Sequence, residues 1–223
     1  MSEKNKAHYK LCLLEDLIEA GSSSQSVLPP TNRILYQVEG RTKTNQTFLI
    51  ADNVWFGFGE VNLNSSDRSS KLWRWELIER DQTPVYLNGA GSSSKLLTSE
   101  FVDSIEPDEN WLLRCDSVAF PLGGCAYTHT HQGPGIRCVV EGEIRIDSQD
   151  HSQHFLPGEA WYEAGPEPVF AQASEKSQSR FIRVMLVPPD FEGRSTIKYI
   201  LAEDQDKPKL QSYRKYCETR LNL

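Results

Sequence analysis

GGCAYTHTHQGPGIRCVVEGEIRI, residues 123–146, decides how this chain is read. His129 and His131 alternate about Thr130. On an extended strand, residues i and i+2 point to the same side, so the two imidazoles share one wall. Two ring nitrogens on one wall can hold a single divalent ion at about 2.1 Å each. The alternative is a histidine pair hydrogen-bonded in a barrel interior with no ion. The turn Gly133-Pro134-Gly135 either brings backbone close to a cavity or simply bends the chain between two strands. Gly142 then punctuates the second apolar run.

Outward from that stretch, short aromatic and β-branched segments recur between Gly, Pro, Asn and Asp: ILYQVEG, TFLIADNVWFGF and KLWRWELI before residue 80, then WLLRCDSVAFPL, EAWYEAG, PVFAQAS and RFIRVMLV after 110. That pattern predicts an all-β sandwich or closed barrel. The halves repeat. RILYQVEG (33–40) matches GIRCVVEG (135–142), placing Gly40 opposite Gly142. IADNVWFGFG (50–59) matches LPGEAWYEAG (156–165), placing Trp55 opposite Trp161. LWRWEL (72–77) matches FIRVML (181–186), placing Arg74 opposite Arg183. Three blocks in one order predict a duplication. Apolar positions 11, 13, 14, 17 and 18, ended by Gly21, predict a short N-terminal helix within a leader of residues 1–30. The remaining expectation is a first barrel over 31–92, a linker over 93–110, a second barrel over 111–190 and a charged tail over 191–223.

The 123–146 stretch resembles the first cupin motif, with Gly123, His129, His131 and Gly142 at its spacing. LPGEAWYEAGPEPV (156–169) resembles the second. The resemblance implies two double-stranded β-helix barrels in tandem, a bicupin, and a metal-dependent chemistry of dioxygenase, isomerase or lyase type. It also implies a resident Fe, Mn, Ni or Zn ion and pairing of two copies through strand edges. Two of the family's four ligand positions are filled differently: Gly135 stands at the glutamate position and Pro168 at the last histidine. Glu163 is the best candidate for a substitute ligand, with Gln132 and Tyr162 as weaker options; it would complete a two-histidine, one-carboxylate set with His129 and His131. Arg137 lies two residues after Gly135, on the same face. It either clamps an anionic substrate group or pairs with an internal acid such as Glu163. Gln132 is a second candidate for substrate contact, and Tyr127 and Tyr162 are candidate proton donors. The rival reading is a cupin that lost its ligands and kept its pocket to bind or sense a small molecule.

The duplication supplies an internal control. His129, His131, Arg137 and Glu163 correspond to Val27, Pro29, Leu35 and Gly57 in the first half, so chemistry is expected in the second barrel alone. The formal net charge is -7, which argues against a nucleic-acid partner, since phosphate recognition needs a basic face. No apolar run approaches the roughly 18–20 residues that span a bilayer. The start MSEKNKAHYK is too polar for a secretory leader, and a cytoplasmic setting is expected. Five cysteines, an odd number without a CxxC pair, are read as reduced core thiols.

Overall fold

The computed structural model describes residues 8–24, 27–45, 47–105, 110–149 and 151–223. The chain divides into two compact units, Met1–Glu109 with Leu221–Leu223, and Asn110–Arg220.

The first unit contains β1 (Tyr9–Ile18), β2 (Asn32–Glu39), β3 (Arg41–Thr44), β4 (Thr47–Ile50), β5 (Val54–Gly57), β6 (Leu63–Ser65), β7 (Ser70–Glu79) and β8 (Ser92–Val102). A five-stranded sheet runs β5-β2-β7-β1-β8, and a three-stranded sheet runs β4-β3-β6. The expected N-terminal helix is therefore a strand. Leu11, Cys12, Leu13 and Leu14 are consecutive and all wholly buried. A helix cannot hide four successive side chains on one stripe, whereas a central strand covered on both faces can. β1 fills that place, paired antiparallel with β7 on one side and β8 on the other. The expected linker is corrected likewise: Ser92–Val102 is the edge strand β8. Its alternation of half-exposed and exposed residues, rich in Ser, masks its strand character in the sequence.

The second unit contains β9 (Leu112–Phe120), β10 (Cys125–His131), β11 (Gly135–Glu141), β12 (Ile144–Ser148), β13 (His151–Phe155), β14 (Ala160–Glu163), β15 (Val169–Ala173), β16 (Ser179–Val187), β17 (Ile197–Tyr199), the one-turn helix α1 (Ala202–Gln205) and β18 (Ser212–Arg220). Its sheets run β14-β11-β16-β9-β18 and β13-β12-β15-β10-β17. The expected irregular tail thus supplies an edge strand to each sheet.

One five-stranded sheet of each unit repeats the same topology, with β2, β5, β7, β1 and β8 equivalent to β11, β14, β16, β9 and β18. Registers match residue by residue: Leu35 pairs with Trp55 as Arg137 pairs with Trp161, and Arg33 with Gly57 as Gly135 with Glu163. Both copies carry a register shift in the same place, between Gln37 and Glu39 and between Val139 and Glu141. After each bulge comes a glycine in the left-handed region, Gly40 at φ 79° and Gly142 at φ 74°. A Cβ on Gly40 would stand 2.2 Å from Ser69 O, and on Gly142 2.0 Å from Gln178 O. Strained φ and a clash with fixed backbone coincide there. Gly142→Ala is accordingly expected to destabilise the second unit by about 2–4 kcal/mol, read by urea denaturation. A loss below about 1 kcal/mol would show that the turn can relax.

The cores differ. In the first unit Leu28, Leu35, Leu49, Val61, Leu63 and Leu72 pack into an aliphatic plug against Trp55. In the second, Phe120, Phe155, Trp161 and Phe181 pack in one cluster with the small residues Ala126, Ala171 and Ala173. The small residues leave room inside.

Candidate functional site

That room, a cavity of about 20 Å³, is lined by His129, His131, Arg137, Glu163, Arg183 and Tyr213 among apolar neighbours. It holds roughly one water molecule. Four of those six side chains are the ones singled out by sequence, and the fold brings them together from three strands.

β10 presents the histidines. His129 is 4% and His131 5% exposed, and their Nε2 atoms lie 3.2 Å apart. His129 Nδ1–H donates to Tyr127 O at 2.6 Å, which fixes that tautomer and turns the Nε2 lone pair inward. Thr196 Oγ1 stands 3.4 Å from His131 Nδ1 and can donate to it or accept from it. β14 presents Glu163 beside Trp161, whose indole N–H donates to Glu163 Oε1 at 2.8 Å. The other oxygen, Oε2, is 3.6 Å from His131 Nε2 and 2.7 Å from Arg137 Nη2. Close as that ion pair is, neither Oε2 nor Nη2 reaches hydrogen-bond alignment with any partner. Arg137 is otherwise held by Nη1 donating to Gly135 O at 2.5 Å. Two misaligned charged atoms in a nearly dry site call for an explanation, because buried polar groups are normally satisfied.

The two buried arginines contrast. Arg183 meets Asp116 with two hydrogen bonds, at 2.9 and 2.8 Å. Burial disfavours the Arg183 charge, but Asp116 outweighs it and the pKa is raised. For Arg137, burial prevails over the Glu163 attraction, and the pKa is pushed down to about 10. It remains charged near neutrality.

Burial also lowers both imidazole pKa values. For His131 the nearby Arg183 and Arg137 guanidinium groups push it well below 6.5. The folded state therefore keeps these rings neutral where the unfolded chain protonates them. Stability linked to them is full above about pH 6.5 and is lost as pH falls from there toward the lower folded values. The stability difference between the parent and His131→Gln should shrink on acidification from pH 7.5 to 5.5 in thermal melts. A constant difference would show that His131 titrates normally.

Two nitrogens bound to one tetrahedral ion at about 2.1 Å sit roughly 3.4 Å apart. The imidazoles, at 3.2 Å, match this, and Glu163 Oε2, at 3.6 Å, is slightly wide, drawn toward Arg137. Among the described residues, no group of three or more His, Cys, Asp and Glu side chains forms a ready-made metal cage. The donor types nonetheless suit such an ion: two neutral imidazoles, that of His129 with its tautomer set by Tyr127 O, and a carboxylate oxygen without a hydrogen bond.

The other expected positions fall as follows. Gly135 cannot be a vacated ligand slot open to refilling, since a Cβ there would lie 2.4 Å from Val184 O. Pro168 is exposed, away from the cavity. Gln132 sits in the bend after β10, its N–H bonded to Thr196 O, and does not line the cavity. Tyr127 contributes its carbonyl to His129, while Lys207 Nζ stands 5.0 Å from its ring centroid. Tyr162 does not line the inner cavity; with Glu163, His151 and Glu167 it lines an outer cavity of about 130 Å³. Sequence reasoning left Asp116 and Thr196 unnoticed; each becomes meaningful only beside its partner.

No protein-family model and no curated protein matches the sequence. Solved structures do. AerE from Microcystis aeruginosa is 12% identical, with a TM-score of 0.56 over 82% of this chain and 94% of that one. A salicylate 1,2-dioxygenase from Pseudaminobacter salicylatoxidans is 10% identical, with a TM-score of 0.56 over 85% and 74%. Ylba from E. coli is 11% identical, with a TM-score of 0.50 over 80% and 83%. Such identities carry the fold and no more. Among the described residues, no helix is long and apolar enough to cross a membrane. With its duplicated strand order and its His-x-His strand facing a barrel interior, the chain has the fold of the cupin superfamily, as two barrels in tandem.

Proposed function

We propose that the second barrel is a divalent-metal centre acting on a small organic molecule, in an enzyme of dioxygenase or isomerase type, with His129, His131 and Glu163 as ligands. One observation carries this reading. A buried, partly unsatisfied polar centre exists in the second barrel at positions that the register equates with Leu35 and Gly57 of the first. A structural requirement shared by both copies would have left similar residues in both.

When bound, an Fe, Mn, Ni or Zn ion would polarise a substrate oxygen as a Lewis acid. The chain's own groups do the rest. Tyr127 O and Trp161 Nε1 hold His129 and Glu163 in orientation, and Thr196 serves either tautomer of His131. Arg137 Nη2 stands 2.7 Å from Glu163 Oε2 as its counter-charge, and Trp161 and Phe181 supply the aromatic side of the cavity.

A second reading rests on the same Arg137. Its guanidinium already neutralises Glu163 at 2.7 Å, which suits a metal-free barrel that binds a small molecule without turnover. Metal content of untagged protein, by mass spectrometry after anaerobic incubation with each ion, separates the two. About one equivalent per chain supports the metal centre. No retained ion under any condition rejects it in favour of the binding protein.

A further inference from the structure

We infer that the C-terminal segment builds a receptor for the anionic group, carboxylate or phosphate, of the molecule that reaches the histidine centre. This inference rests on the metal-centre reading for the identity of the reaction but not for the binding itself. A cleft of about 280 Å³, more than ten times the inner cavity, lies where the edge strands β17 and β18 and the turn before β17 close the second barrel. Its walls carry Arg114, Arg183, Arg194 and Lys215. Asp116 is engaged by both bonds to Arg183, and Glu218 is shared between Arg114 and, at 3.5 Å, Lys215. Arg194 has no carboxylate partner among the described residues. Four cations thus face two carboxylates, a local positive excess in a chain of net charge -7. The Arg114 guanidinium donates to Phe191 O and Arg194 O, at 2.7 and 2.9 Å, so the turn bearing Arg194 is held in place rather than free to swing away.

The cleft adjoins the inner cavity: Arg183, Ile197 and Tyr213 line both, and Thr196, which also lines the cleft, is the residue against His131 Nδ1. An anion held by Arg194 and Lys215 therefore directs the rest of its molecule toward the metal ligands. The earlier candidate for that clamp, Arg137, is occupied by Glu163. Guanidinium and ammonium groups recognise either anion, by paired hydrogen bonds or as a point charge.

The test is calorimetric titration at low salt with sodium malonate and, separately, inorganic phosphate. It compares the parent with Arg194→Gln/Lys215→Gln, whose two positions are exposed and outside the core. Malonate reports a carboxylate site and phosphate a phosphate site. Saturable binding of either, weakened tenfold or more in the double variant, is expected, together with a shift of the His131 ring 15N resonances that the variant loses. Absence of saturable binding to both anions, or equal affinity in the variant, overturns the inference. Metal content is measured on the same samples. Anion binding without metal uptake removes the metal centre and leaves this site standing, whereas metal uptake without anion binding does the reverse.

Discussion

Asp16→Ala should unfold the first unit more readily than any surface change, with an expected loss of about 3–5 kcal/mol. Asp16 is wholly buried and accepts two bonds from Arg74, at 2.6 and 3.0 Å, and one from the Ser94 hydroxyl at 2.5 Å. Arg74 is equally buried and also donates to Val85 O at 2.8 Å. Beside it, Arg33 bonds to Glu76 at 2.6 Å. Two guanidinium and two carboxylate groups balance there. Removing one carboxylate strands a buried positive charge that water cannot reach, and this is what makes a broken buried pair expensive even where an intact pair contributes little. The transition of that unit should fall by more than about 12 °C in calorimetry. The matched change Asp116→Ala should cost less, about 1–3 kcal/mol, because Arg183 fronts an open cleft and can be rehydrated. Equal losses would mean that solvent access does not distinguish the two pairs.

His129→Ala/His131→Ala should weaken divalent-ion binding at least about 100-fold, beyond the 10–100-fold that loss of a supporting residue produces. Both nitrogen donors are removed while the strand pairings of β10, which are made by backbone, persist. Far-ultraviolet circular dichroism should be unchanged, and the affinity for Zn or Mn is read by competition with a chelating dye. Glu163→Gln gives the complementary result. The amide can still accept from Trp161 but loses the anionic charge, so ion binding drops and Arg137 loses its counter-charge. Retention of parental affinity by the double variant would place any bound ion elsewhere.

Much of the candidate site was legible in the chain itself because its cues are local. The i, i+2 alternation of His129 and His131, the repeat that equates Gly40 with Gly142, and the polar-for-apolar exchanges at Arg137 and Glu163 all lie within short segments. Such segments fix which face a side chain takes and which φ a position needs. Local cues also misled. The apolar run of β1 carries no period once both faces are covered, so helical spacing fitted it by coincidence. The Ser-rich β8 reads as linker because an edge strand needs little apolar surface.

The sequence by itself determined a duplicated all-β chain with a histidine pair in its second copy. Only the tertiary structure decided what those residues meet. The aspartate partners of Arg74 and Arg183 lie 58 and 67 residues away along the chain. Thr196 stands 65 residues from His131, and the cationic cleft draws on β9, β16, β18 and the turn before β17. Strand periodicity says which way a side chain points. Charge compensation, tautomer and cavity depend on which other strands close around it, and antiparallel pairing across the whole domain sets that.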